Sequence, residues 1–444
     1  MSNSRNNLLS LEYLTNVITQ RLDIFFNKEN SAPFVYPELK LEYDGGPLQL
    51  FLEKYNFNIE EFIIFSLALT PHLQPNFLDH IIQQYLPNGG EFPEMGGVKG
   101  VNHRGTIATG ETALFILAGN DLNRRMQIAQ YFSPDHFFAK ENILLLEVVK
   151  DGEPRMSGKL ILQQEWIDLF TMGTMSRPMF GPEFPAKLVT TQMEWSDLVL
   201  NEKTASAISD IRIWLHHNEH FLKEWGMERK IKPGYRALFH GPSGTGKTLT
   251  ATLLGKQFQK DVYKIDLSQV VSKYIGETEK NLEKIFTKAE HRDWILFFDE
   301  ADALFGKRSN IQSAHDKYAN QEVSYLLQRV EDFPGLVILA SNNKNNIDTA
   351  FIRRFNSIIH FPFPTPRERE EIWKVAFPHK ANSNGLDLAS IASKYELSGS
   401  AIISVIHYAS LQTISRASTF VQLQDILDGI RKEYEKEERM FVAW

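Results

Sequence analysis

Between residues 48 and 130, apolar residues recur at three- and four-residue spacing. The pattern is plainest over 61–69 and 77–86, and it predicts that this stretch is helical. Further along the period shortens. Residues 143–149 (ILLLEVV) and 159–162 (KLIL) are apolar runs on either side of DGEPRMSG, which predicts strand, turn and strand. A helix carrying Trp166, Ile167, Leu169 and Phe170 follows. Helices followed by a β-hairpin suggest a winged-helix-like unit. Residues 173–187, GTMSRPMFGPEFPAK, contain three prolines and two glycines, so no regular element is expected there.

Past that stretch the texture is alternating α and β. Strands are predicted at 235–240 (YRALFH), 262–267 (VYKIDL), 294–298 (WILFF), 335–340 (GLVILA) and 358–361 (IIHF). Their unbroken apolar runs suit strands buried on both faces. Segments of helical length separate them, so the expected fold class is α/β, a five-stranded parallel sheet with helices on both faces. From Thr365 on the pattern is helical. The predicted organisation is a helical and winged-helix-like domain over 1–172, a linker over 173–190, an α/β domain over 191–364 and a small α-helical lid over 365–444.

Composition narrows the function classes. The 444 residues are 43% hydrophobic and 23% charged, an ordinary globular balance. There is no cysteine, which excludes a disulfide framework, a thiolate zinc site and a cysteine nucleophile, and fits a reducing compartment. No apolar run approaches the roughly 20 residues of a membrane-spanning helix. The first residues, MSNSRNNLLSLEYLTN, do not read as a secretory signal. The expected location is cytoplasmic. Residues 1–185 carry a net charge of −8 and the rest +1. An acidic front half repels phosphate backbones, which disfavours nucleic acid as its ligand and favours protein, although acidity also serves solubility alone.

The candidate chemistry begins at Gly241-Pro242-Ser243-Gly244-Thr245-Gly246-Lys247-Thr248, a full match to the phosphate-binding loop, set between a predicted strand and a predicted helix that continues through Leu249. Backbone N–H groups can turn inward around a phosphate chain there, and the helix adds its positive end. Lys247 is expected to reach the β- and γ-phosphates and Thr248 to ligate Mg²⁺. Asp299 and Glu300 directly follow the buried strand ending at Phe298, where parallel sheets bind ligands. Asp299 would serve the metal and Glu300 would orient the attacking water. Solvated acids at a helix start are the plainer alternative.

With the phosphate loop, ILFFDEADALFG around Asp299, LASNN and AFIRRF in that order, residues 190–444 resemble the AAA+ ATPases, and most closely the AAA clade of protein remodellers. The resemblance implies ATP and Mg²⁺ as cofactors, a ring, usually a hexamer, and a protein substrate. It matches Asn342, with Asn343 beside it, to the γ-phosphate sensor, and Arg353 and Arg354 to arginine fingers supplied to a neighbouring subunit. It matches Tyr274 and Ile275 to a pore loop that grips polypeptide, residues 303–315, with Lys307, Arg308 and His315, to a second pore loop, and Asp197 and Leu198 to the adenine site. One position departs from the clade: Ala376 stands where these remodellers often carry a histidine. The second sensor region, 397–400 (LSGS), has no arginine, as is usual in the clade.

A narrower likeness covers 225–362, including AHDKYANQEVSYLLQRVEDFPGL. It is to bacterial AAA ATPases encoded with extracellular contractile injection systems, of the antifeeding-prophage and Photorhabdus virulence cassette type. That likeness implies a particle component or its toxin cargo as substrate. A nucleotide-dependent assembly scaffold and a DNA-handling motor are the other functions compatible with the fold.

Overall fold

The computed structural model describes residues 2–26, 33–43, 45–90, 92–181, 184–267, 277–302, 314–342 and 349–442. The chain forms two compact units, 1–178 and 179–444.

The first unit is built around the helix Ile59–Leu73, in which ten consecutive residues from Glu61 to Thr70 are buried. A helix apolar on every side must be wrapped by others, and Ser2–Phe26, Pro47–Tyr55, Gly110–Ala118 and Gln164–Met172 all contribute to the same core. Its N-terminus is fixed by a capping box. The Asn58 side chain accepts from the Glu60 and Glu61 amides, and Glu61 Oε2 accepts from the Asn58 amide at 2.8 Å. Two short antiparallel pairs complete the unit. Strand β1 (Val98–Lys99) pairs with β2 (Thr106–Ile107), and β3 (Leu144–Leu146) with β4 (Leu160–Leu162), Leu145 facing Ile161. The β1–β2 pair corrects the expectation that 48–130 is helical throughout. A glycine-rich segment, with Gly96 and Gly97 at positive φ, interrupts the helical pattern there.

The second unit holds a six-stranded sheet rather than five. The strands are β5 (Ala186–Val189), β6 (Tyr235–His240), β7 (Val262–Asp266), β8 (Ile295–Asp299), β9 (Leu336–Ser341) and β10 (Ser357–His360), in the order β10-β6-β9-β8-β7-β5. The five strands from β6 to β10 are parallel. The sixth, β5, runs antiparallel against β7 at the edge, within the stretch expected to be a featureless linker. Its anchor is Phe184, which is buried with its ring against Tyr263 and Trp294. The prolines precede the strand and leave its ladder intact.

Alternation within each parallel strand serves two cores. Leu238, Ile265, Leu296, Phe298, Val337 and Leu339 pack on one face, together with Leu282 and Phe286 of the helix Glu277–Arg292 and Leu326 of the helix Ala314–Asp332. Ala237, Phe239, Ile295, Phe297, Ile338 and Ala340 pack on the other, together with Ile208 and Ile211 of Glu202–Lys223 and Ala251 and Leu254 of Lys247–Phe258. The lid helices Pro366–Ala376, Leu388–Lys394, Gly399–Ser415 and Leu423–Lys436 close around fully buried Trp373.

Candidate active site

Strand β6 ends at His240 and delivers the chain into the loop 241–246, which opens the helix Lys247–Phe258. Glycine is required within this loop. Gly244 has φ +75°, and a Cβ there would lie 2.0 Å from Ser400 Oγ of the lid. Gly241 has φ +146°, and its Cβ would lie 2.0 Å from the Phe361 carbonyl oxygen. The Ser400 amide donates to the Gly244 carbonyl at 3.2 Å, so loop and lid touch directly.

Lys247 is 8% exposed. Its Nζ donates to the carbonyls of Gly241 (2.6 Å) and Pro242 (2.9 Å) and to Asn342 Oδ1 (3.2 Å). Burial pushes its ammonium below the ordinary lysine value, and the Asp299 and Asp302 carboxylates act in the opposite direction. Its three N–H donors are engaged by these three acceptors, which hold the ammonium within the loop. The contact with Asn342, at the end of β9, ties the phosphate loop to the central strands.

Asp299 closes β8, and one of its oxygens forms an ion pair with Lys264 Nζ of β7 at 2.6 Å. Its Oδ1 accepts from the Glu300 amide at 3.0 Å. Glu300 sits at φ +52°, in the left-handed region, so the chain turns sharply as the sheet ends.

Lys247, Asp299, Glu300 and Asn342 share one cleft of about 410 Å³. Its lining includes Asp197, Leu198, every residue from Ser243 to Leu249, Asp299, Glu300, Asn342, and Gly399, Ser400 and Ile403 of the lid. The volume suits a nucleotide-sized ligand. Within the phosphate-loop motif Gly241 does not line the cleft, and neither does Pro242. The Pro242 carbonyl accepts from Lys247 and, at 2.8 Å, from Thr245 Oγ1. Thr248 offers a hydroxyl and Asp299 a carboxylate to the same space. Both are hard oxygen donors, which fit Mg²⁺.

The two arginines differ from the rest and from each other. Neither lines the cleft. Arg354 Nη1 forms an ion pair with Glu331 Oε1 at 2.5 Å, near the C-terminal end of Ala314–Asp332. The Glu331 carbonyl accepts from buried Arg236 at 2.7 Å. Arg353 is exposed and has no ion-pair partner among the described residues. Tyr274, Ile275, Asn343, Lys307 and Arg308, and the side chain of His315, lie outside the described residues.

Sequence reading did not assign Lys264, Glu368 or Ile372 to the site. The last two come from the first lid helix and line the cleft, whereas Ala376 of that helix does not. The signal for Lys264 was present. It is a charge on a strand whose other residues include buried Val262, Tyr263 and Ile265, and it shares a face with Val262 and Asp266.

Residues 237–363 match the AAA family, described as the ATPase family associated with various cellular activities. The chain is 33% identical over 223 residues to the proteasome-activating nucleotidase of Aeropyrum pernix, covering 48% of this chain and 54% of that protein. It is 30% identical over 210 residues to the 26S proteasome regulatory subunit S10B homolog B of Arabidopsis thaliana, covering 46% and 53%. It is 28% identical over 225 residues to the ATP-dependent zinc metalloprotease FtsH 3 of Phytoplasma mali, covering 47% and 38%. The chain thus spans about half the length, or less, of these curated relatives.

Proposed function

We propose that this chain is an AAA+ ATPase that binds ATP in the cleft at the end of the parallel sheet, hydrolyses it, and uses the energy to remodel a protein substrate. The observation that carries the reading is the convergence of loop 243–249, Asp299, Glu300, Asn342 and lid residues 399–400 on a single cleft. In this reading Lys247 and the loop amides hold the phosphates, and Asp197 and Leu198 lie toward the base. Thr248 and Asp299 would hold Mg²⁺, which when bound would neutralise phosphate charge. Glu300 orients the water that attacks the γ-phosphorus and accepts its proton as ADP leaves, and Asn342 is the γ-phosphate sensor.

The arginine finger is assigned to Arg353, because Arg354 is engaged by Glu331 of its own chain. An exposed guanidinium outside its own cleft can serve a neighbour's, which supports assembly of copies into a ring, with six the number the resemblance implies. Tyr274 and Ile275 would line its pore. The finer reading takes a contractile-particle component or its cargo as the substrate, and rests on the narrower likeness over 225–362.

The test is capture with Glu300→Gln, which should bind ATP and retain substrate. Proteins of a contractile particle among those retained from the native host would support the finer reading. An unrelated substrate would refute that part alone, and free turnover by Glu300→Gln would refute the assignment of the base.

A further inference from the structure

Both oxygens of the Asp299 carboxylate are occupied. One is paired with Lys264 Nζ at 2.6 Å and the other accepts from the Glu300 amide at 3.0 Å. Lys264 stands in register with Phe297 of β8, so Asp299 is its diagonal neighbour two residues along. The two side chains are on the same face of the sheet as Ile295 and Phe297, which pack with Ala251 and Leu254 of the helix that follows the phosphate loop. Lys264 is therefore on the cleft side of the sheet. Across the edge, Lys187 of β5 is directly opposite Lys264 and faces the same way. Like charges directly opposed on a sheet repel. The Asp299 carboxylate offsets that repulsion, and Lys264 in turn neutralises Asp299.

We infer that Lys264 is a positioning residue that acts as the built-in counter-ion of the metal-site carboxylate and sets the magnesium requirement of nucleotide binding. The inference rests on the ATP reading of the cleft. With an ammonium already on its carboxylate, the site disfavours a bare divalent cation, because a second positive group must approach the first. A triphosphate brings enough negative charge to reverse that balance. The pair thus makes the metal enter with the nucleotide rather than ahead of it. It also keeps Asp299 aligned, and through the Glu300 amide it holds the backbone turn at Glu300 while the cleft is empty.

The experiment follows binding of a fluorescent, non-hydrolysable ATP analogue to the full chain, first in EDTA and then during a Mg²⁺ titration. In Lys264→Gln the half-saturating Mg²⁺ should fall roughly three- to tenfold, the scale of a partly exposed, charge-assisted pair. Affinity in EDTA should not rise in Lys264→Gln, because the uncompensated Asp299 carboxylate repels a metal-free triphosphate, and Lys264→Arg should keep the wild-type requirement. Mn²⁺ binding without nucleotide, read by electron paramagnetic resonance, should be weak in the wild type and tighter in Lys264→Gln. Lys264→Met, which keeps the stem's packing, reads the same quantity should Lys264→Gln melt too early.

An unchanged Mg²⁺ requirement with intact binding in EDTA would overturn the inference and leave the pair a purely structural offset of the two lysines. Wild-type binding that did not depend on Mg²⁺ at all would overturn the ATP reading itself, and the inference with it.

Discussion

Lys247 is held by the carbonyls of its own loop and by Asn342, with little access to water. Removing its charge leaves the phosphates without their buried cation. Lys247→Ala should therefore abolish ATP binding, measurable by titration with a fluorescent nucleotide, while the fold survives. Arg353 and Arg354 give a sharper pair of expectations. Arg353→Ala should lower ATP turnover by roughly tenfold or more, since fingers of this kind are worth large rate factors. Arg354→Ala removes a half-exposed ion pair and should cost at most about 1 kcal/mol of stability. Turnover and thermal melting of both variants decide between them. Equal loss of turnover in the two would mean that the Glu331 pair does not distinguish them.

At the scale of elements, the contact between the phosphate loop and the lid is sensitive to a single added atom. Gly244→Ala places a methyl group 2.0 Å from Ser400 Oγ on a backbone at φ +75°. The left-handed conformation alone costs about 1–2 kcal/mol for a residue with a Cβ. Nucleotide affinity should fall roughly tenfold or more, and a Gly244→Ala/Ser400→Gly double variant should recover part of it. Full recovery would show that the backbone conformation contributes nothing.

Much at this scale was legible beforehand. Tyr235–His240 lies where its apolar run predicts, and the other parallel strands lie within a residue or two, because buried parallel strands leave uninterrupted apolar runs. Strand β5 was hidden because a proline-rich approach ends at a single aromatic anchor, Phe184, whose burial depends on Tyr263 and Trp294 far along the chain. The phosphate loop and the Asp299-Glu300 pair could be read locally as motifs. The Lys264–Asp299 pair joins two strands and follows only from their register. The distinction between Arg353 and Arg354 depends likewise on a helix end that adjacent sequence does not reveal.

At the scale of the whole molecule, copies are expected to act together on a polypeptide. Tyr274→Ala should leave basal ATP turnover near the wild-type rate and remove substrate-stimulated turnover. A variant that melts early and loses basal turnover in step would instead make Tyr274 a packing residue. Mixing Arg353→Ala chains with Lys247→Ala chains should restore part of the activity that each lacks alone, because a mixed interface can pair an intact cleft with an intact finger. The measurement that bears most directly on the central claim is phosphate release from Mg-ATP by the full chain over a protein dilution series, with Glu300→Gln run beside it. Wild-type turnover should rise more than linearly with concentration, and Glu300→Gln should show almost none despite retained ATP binding. Phosphate release by Glu300→Gln at the wild-type rate would contradict that claim.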